Sequence, residues 1–166
     1  GTELLQQDTS QTLKARLILR AALLTPNVPE AIALTGLPIT SFDEMEHAAT
    51  MLLTLGPKAV LLKGGHLEGN VVRDILVTEQ DIEFFDSPRI ETRHTHGTGC
   101  TLASAVAVGI AQGLTVRDAT VRAREYLRKA IETAPGFGAG HGPLNHAHTV
   151  VLDSESETQR PRRAAR

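Results

Sequence analysis

Apolar residues recur along this chain in two different rhythms, and the change from one to the other marks out its elements. From Leu13 to Leu24 the apolar positions Leu13, Leu17 and Ala21 return every fourth residue. That spacing predicts a helix, with Thr9 or Ser10 as its N-cap. Leu23-Leu24-Thr25 reads as a short strand before Pro26, which drives Thr25 out of the helical region. Pro29 to Leu34 predicts a short helix with proline at its start and Gly36 as its stop. Ser41 to Leu55 predicts a second. Glu44 follows Ser41 at capping-box spacing, and Gly56-Pro57 closes the segment.

At Ala59-Val60-Leu61-Leu62 the helical rhythm gives way to an unbroken apolar run. Such a run is expected of a strand buried on both faces. Gly64-Gly65 ends it. Val71 to Val77 and Ile82 to Phe85 predict two more strands, joined by a turn at Glu79-Gln80-Asp81. Thr98 to Gln112 is built of Ala, Ser, Val, Gly and Ile almost all round, so a helix buried on every side is expected. Val116 to Ala134 is a longer amphipathic helix, and glycine-rich Gly136 to Gly142 is a loop. Helices alternating with buried strands predict an α/β layered domain with a largely parallel sheet. The domain is expected over residues 1–153. The last 13 residues, SESETQRPRRAAR, hold no large apolar group and are expected to form a disordered, solvated basic tail over 154–166.

Charge and composition narrow the functions. Seventeen Lys and Arg against nineteen Asp and Glu give a net charge of -2, without the basic excess of a dedicated nucleic-acid binder. Aromatics at 3% leave little for stacking on single-stranded bases. No apolar run approaches the ~20 residues of a membrane span. The opening GTELLQQDTS has neither the basic start nor the apolar stretch of a signal peptide. Cys100 is the single cysteine, so no internal disulfide can form. The expected setting is cytoplasmic and reducing, with no nucleic-acid or membrane partner.

The sharpest chemical feature is Thr92-Arg93-His94-Thr95-His96-Gly97-Thr98-Gly99-Cys100-Thr101, directly at the start of the small-residue helix. Glycines there let a ligand approach the backbone. The first N–H groups of a helix lack internal partners and carry partial positive charge, which suits a phosphate. The same partial charge favours a thiolate at Cys100. The alternative is a plain glycine turn followed by an inert core cysteine. Lys63-Gly64-Gly65-His66 follows the buried strand, where ligands of α/β sheets gather, and Lys63 could hold a polyphosphate. Asn27 and Glu30 offer an amide oxygen and a carboxylate, ligands that suit Mg²⁺. Glu30 is equally a good first-turn helix residue. His94 and His96, with His141, His146 and His148, leave a zinc cluster as a weaker alternative, since no cysteine pair supports it. The nucleotide motif G-x-x-x-x-G-K-[ST] is absent, and Gly97-Thr98-Gly99-Cys100-Thr101-Leu102 lacks the third glycine of a dinucleotide fingerprint.

Four segments occur in order: Thr25-Pro-Asn-Val-Pro-Glu30-Ala31, Val60-Leu-Leu-Lys-Gly-Gly-His66, Arg93-His-Thr-His-Gly-Thr-Gly-Cys-Thr101 and Gly142-Pro-Leu-Asn-His146. Together they resemble the hydroxymethylpyrimidine/phosphomethylpyrimidine kinases of thiamine biosynthesis, in the ribokinase-like superfamily. The resemblance covers about residues 1–150. It implies a three-layer α-β-α ribokinase-like sheet, here lacking its N-terminal strands, because the family's chains extend well upstream of the matching segments. It implies ATP and Mg²⁺ as cofactors, and phosphorylation of 4-amino-5-hydroxymethyl-2-methylpyrimidine and then of its monophosphate. By motif, Gly97, Thr98 and Gly99 match the anion hole and Cys100 the catalytic base. Asn27 and Glu30 match the Mg²⁺-organising signature. Lys63 and Gly64 match the strand end that lines the nucleotide site. The upstream half carries most of the family's pyrimidine pocket, so little turnover is expected of this chain alone. A homodimer or a complementing N-terminal half is the macromolecular partner the resemblance leaves open. The alternatives are a pyridoxal kinase of the same branch, a non-catalytic nucleotide-binding remnant, and a thiol hydrolase using Cys100 with His94 or His96.

Overall fold

A computed structural model of the chain describes residues 16–150. The expected cap at Thr9 or Ser10, the first residues of the helix from Leu13, and the expected tail over 154–166 lie outside the described residues. A short 3-10 turn, Ile18–Arg20, gives way to extended backbone at Ala21, so the first helix stops well before Leu24. The reason is pairing. Leu24 donates its N–H to the Ala59 carbonyl at 2.9 Å and accepts from the Leu61 N–H at 2.8 Å. A residue bound on both sides to a neighbouring strand is not available to a helix.

Helix α1 spans Val28–Thr35 and α2 spans Phe42–Leu53. Both start with a reciprocal capping box, Asn27 with Glu30 and Ser41 with Glu44, so two otherwise unpaired N–H groups are satisfied at each start. Gly36 ends α1 in the left-handed region, at φ 74°. Strands β1 (Ala59–Lys63), β2 (Val71–Thr78) and β3 (Ile82–Pro88) follow, then helices α3 (Thr98–Ala111) and α4 (Val116–Glu132).

Among the described residues the three strands lie in the order β1-β2-β3 with both pairs antiparallel. This corrects the expectation of a largely parallel sheet. Parallel pairing is confined to the bridges Leu24↔Val60 and Asn27↔Lys63. The connections after β1 and β2 are too short to hold the crossover helix, at least about 10–12 residues, that parallel neighbours need. Strand β3 also runs three residues beyond the expected Phe85.

Burial on both faces of β1 is as its apolar run predicts. Val60 and Leu62, opposite Val77 and Ile75, pack on Ala31 of α1 and on Met45, Ala48 and Leu52 of α2. Ala59 and Leu61, with Leu76, pack on Leu102 and Val106 of α3 and on Ala119 and Ala123 of α4. Period-two alternation along one strand thereby sorts the chain into three layers, helices–sheet–helices, and the lower-order expectation of an α/β layered domain holds. No helix among the described residues is long and apolar enough to cross a membrane.

Helix α3 departs from the all-round burial expected of it. Leu102, Val106 and Gly109 are buried against α4 and the sheet, whereas Ser104, Ala107, Val108 and Ala111 are exposed. Its composition reports small size, and small size here serves close approach on one side: a Cβ at Gly109 would lie 2.7 Å from the Ala119 Cβ and 3.1 Å from its Cα. Gly109→Val should therefore force the two helices apart. Overpacking of this kind costs about 1–3 kcal/mol, equivalent to a Tm lower by roughly 2–10 °C for a domain of this size. Thermal unfolding of the variant checks it, and an unchanged Tm would contradict the close α3–α4 contact.

Candidate functional site

Helix α3 begins at Thr98 with Gly97 as its N-cap, at φ 82°, a left-handed conformation that glycine adopts without strain. The first i→i−4 bond runs from the Thr101 N–H to the Gly97 carbonyl at 2.9 Å. Ahead of it, the N–H groups of Gly99 and Cys100 have no acceptor among the described residues. Gly99 is needed for space rather than for φ. A Cβ there would lie 3.1 Å from the Lys63 ammonium nitrogen. Thus Lys63, at the carboxyl end of β1, places its positive charge directly beside the start of α3. Two sources of positive potential, an ammonium group and a helix N-terminus, converge on one point.

Burial lowers Lys63 below the ordinary lysine value of 10.5, while the Glu30 and Cys100 charges act in the opposite direction. Burial likewise lowers His66, next to the glycine turn, and the Lys63 charge adds to that effect. Asn27 lies alongside, since its bridge to Lys63 carries the parallel pairing. Its side-chain oxygen accepts from the Glu30 N–H at 2.8 Å, and Glu30 Oε2 accepts from the Asn27 N–H at 2.8 Å. The first-turn structural reading of Glu30 therefore holds as well. The Asn27 oxygen serves the cap with one hydrogen bond, and the second Glu30 oxygen is not part of it. Cys100 is exposed, not an inert core residue.

A cavity of about 930 Å³ opens beside this point. Asn27, Lys63, Gly97, Thr98 and Gly99 line it, whereas Glu30, Gly64 and Cys100 are not among its lining residues. Phe85, Val121, Leu127 and Ile131 give it an apolar share, interleaved with the charged Asp74, Arg124, Glu125 and Arg128. The structure brings the sequence-named segments at Asn27, Lys63 and Gly97–Gly99 to one cavity, and adds residues that brace them and that the sequence did not single out. Gly64 is a residue that the sequence places at the site, yet its role is to fit: a Cβ there would overlap the Arg73 carbonyl oxygen. Its N–H donates to Asp74 Oδ1 at 3.0 Å. Asp74 in turn forms an ion pair with Arg124 of α4, at side-chain exposures of 9% and 15%. Arg124 also donates to the Phe85 carbonyl at 2.9 Å and to Ser87 Oγ at 2.7 Å. Burial, with the Arg128 charge, lowers Arg124 to about 10, which leaves it charged at neutral pH. Arg89 donates to the Gly69 carbonyl at 2.6 Å, to Gly65 at 3.0 Å and to Leu67, and so holds the whole loop after the glycine turn. The available signal was a lone carboxylate inside the apolar run Val71-Val72-Arg73-Asp74-Ile75-Leu76-Val77.

The histidines do not converge. His141 Nδ1 meets the Arg93 carbonyl at 3.1 Å, and His146 Nδ1 meets the Tyr126 hydroxyl at 3.3 Å. Among the described residues no group of three or more His, Cys, Asp or Glu side chains could hold a metal, which corrects the zinc alternative. His94 is enclosed by the glycine loop, where a Cβ at Gly142 would overlap its ring.

The family profile described as phosphomethylpyrimidine kinase matches residues 1–145. The thiamine biosynthesis bifunctional protein ThiED of Geobacter sulfurreducens is 47% identical over 146 residues, 88% of this chain and 30% of that protein. The hydroxymethylpyrimidine/phosphomethylpyrimidine kinase of Bacillus subtilis is 43% identical over 147 residues, 88% of this chain and 54% of that protein. The chain thus spans about half the length, or less, of these relatives. In shape it is similar to a Bacillus subtilis pyridoxal kinase solved as an ADP complex, with a TM-score of 0.82 at 32% identity over 87% of this chain and 57% of that one.

The half-buried Lys63 gives a pH prediction. Burial disfavours the charged form, so the fold is weakened wherever Lys63 is protonated, below its lowered folded value. That weakening is released as pH rises from the folded value toward the unfolded 10.5. Lys63→Met removes the charge and keeps the stem. It should melt above the parent at pH 7, with the gap narrowing as pH approaches 10.5. Melting curves of both proteins between pH 7 and 10 check this, and a parent more stable than the variant at pH 7 would contradict it.

Proposed function

The chain belongs to the phosphomethylpyrimidine kinase family, and on that premise we propose that its cavity binds ATP for phosphoryl transfer to 4-amino-5-hydroxymethyl-2-methylpyrimidine and to its monophosphate. The observation that carries the reading is the Lys63 ammonium beside the unpaired N–H groups of Gly99 and Cys100. Phosphoryl transfer requires mainly positioning and neutralisation of charge spread over phosphate oxygens. A helix start and a lysine supply both without rearranging during the reaction. The gap left by the missing Gly99 side chain admits a phosphate to the backbone. The apolar side chains of Phe85, Val121, Leu127 and Ile131, with charged groups between them, suit the face and edge of a purine base.

Mg²⁺ fits the donor set through Glu30, whose second carboxylate oxygen is outside the capping box, together with ATP oxygens and water; bound there it would offset phosphate charge. Asn27 holds Glu30 through the cap, and the remaining lone pair of its side-chain oxygen makes it a second candidate ligand. Cys100, in the first turn of α3, accepts the proton of the acceptor hydroxyl as that oxygen bonds to the γ-phosphorus and the bond to ADP breaks. The likeness in shape to a pyridoxal kinase supports pyridoxal as a second acceptor.

The test is calorimetry with Mg-ATP, followed by product detection with hydroxymethylpyrimidine, its monophosphate and pyridoxal. Saturable ATP binding, with any transfer going to the pyrimidines ahead of pyridoxal, is the expected result. Absence of ATP binding overturns the reading, and preference for pyridoxal replaces the acceptor. Two variants sharpen it. Gly99→Val should keep the parent's Tm within a few degrees and lose ATP-dependent stabilisation, because its side chain fills the phosphate position and displaces only the flexible end of Lys63. Cys100→Ser, assayed with the N-terminal half of a full-length relative supplied, should bind ATP within about twofold of the equally supplied parent and lose transfer by about 10²-fold or more, the range of a general base. Transfer within twofold of the parent would remove Cys100 from that role.

A further inference from the structure

Lys63 and Asp74 are register partners across β1 and β2, so their side chains leave the same face of the sheet. A lysine and an aspartate placed opposite each other would ordinarily pair. Here they do not. The Asp74 carboxylate is taken by the Gly64 N–H on one oxygen and by Arg124 on the other. Lys63 forms no salt bridge among the described residues, and its ammonium reaches the start of α3 at Gly99. We propose that Arg124 is a positioning residue for the phosphate site: by occupying Asp74 it prevents that carboxylate from capturing Lys63, and so keeps the lysine directed at the helix N-terminus. The inference rests on the nucleotide reading of the cavity and adds to it the residue that keeps its cation available.

The arrangement is one of competition for a single buried carboxylate. Arg124 is held from β3 as well, by the Phe85 carbonyl and Ser87 Oγ, so its guanidinium is fixed where a planar fork can meet Asp74. Lys63 keeps a free point charge on a flexible stem. The charged or titratable groups around Lys63 are Asp74 on β2, Glu30 on α1, Cys100 on α3, His66 in the loop and Arg124 on α4. Arg128, one turn along α4, acts on Arg124 as a second positive charge; removing the Arg124 charge leaves Asp74 facing Lys63, its register partner across the sheet.

Two measurements on the whole chain test this: calorimetry with Mg-ADP, and the pH dependence of Lys63 acetylation by acetic anhydride, read by mass spectrometry. Arg124→Met should lower ADP affinity by at least tenfold and move Lys63 protection to higher pH, as expected of a lysine paired with a carboxylate. The double variant Asp74→Asn with Arg124→Met removes the competing charge while keeping an acceptor for the Gly64 N–H. It should return ADP affinity to within threefold of the parent and restore the Lys63 profile. A purely structural role for Arg124 would not produce that recovery, nor would direct contact of Arg124 with the phosphate. Should Arg124→Met fail to fold, Arg124→Gln, which retains donors for Phe85 and Ser87, carries the same expectation. An unchanged Lys63 profile in the single variant, or a double variant no better than the single one, overturns the inference. If the parent does not bind ADP, the nucleotide reading falls, and the Lys63 profiles alone decide the role of Arg124.

Discussion

At the carboxyl end of β1 the chain passes its neighbour so closely that Gly64 has no room for a side chain, because a Cβ would overlap the Arg73 carbonyl. Its N–H is held by Asp74 in the same place. Lys63 precedes this point and the loop 65–69 follows it, so both inherit their direction from one tight contact. The buried pair of Asp74 with Arg124 then ties that contact to α4, and through Phe85 and Ser87 to β3. An isolated buried ion pair is a weak stabiliser, since desolvation offsets most of the attraction. Its value here is geometric: it joins the end of β1, the β2–β3 hairpin and α4, three sides of one cavity.

The layers supply the frame in which that contact can act. Strand β1 is buried on both faces, so its carboxyl end is fixed from above by α1 and α2 and from below by α3 and α4. Helices α1 and α3 both start near that end. The first satisfies its leading N–H groups through Asn27 and Glu30. The second has no side-chain cap and starts on a left-handed glycine. The contrast matters chemically. A capped helix start has less to offer an anion, whereas an uncapped one beside a lysine has unpaired donors and positive charge together.

Much of this was legible in the sequence, and the limits are instructive. The proline start of α1, the capping box at Ser41, the continuous apolar run of β1 and the glycine start of α3 are local signals, and each produced its element within a few residues. The direction of strand pairing was not legible from periodicity, which is the same for parallel and antiparallel neighbours; the short connection after Lys63 was the better guide. The small-residue face of α3 was read as burial because small apolar residues suit both a buried helix and a one-sided close approach, as at Gly109. Asn27, Glu30, Lys63 and the Gly97–Cys100 turn were identifiable as candidates because residue type and position relative to an element end carry their chemistry. Asp74, Arg124 and Arg89 were not, because their roles depend on partners 10 to 50 residues away in the chain, and no local pattern encodes such a pairing.

The proposed anion site lies where the Lys63 ammonium meets the start of α3. Amide resonances of an isotope-labelled chain titrated with ADP report on that point directly, since N–H groups that begin to donate to a phosphate shift strongly downfield. The account predicts that the largest downfield shifts fall on Gly99 and Cys100, with Gly64 and Gly65 perturbed less. Saturable shifts centred on another element, with Gly99 and Cys100 unmoved, would contradict it.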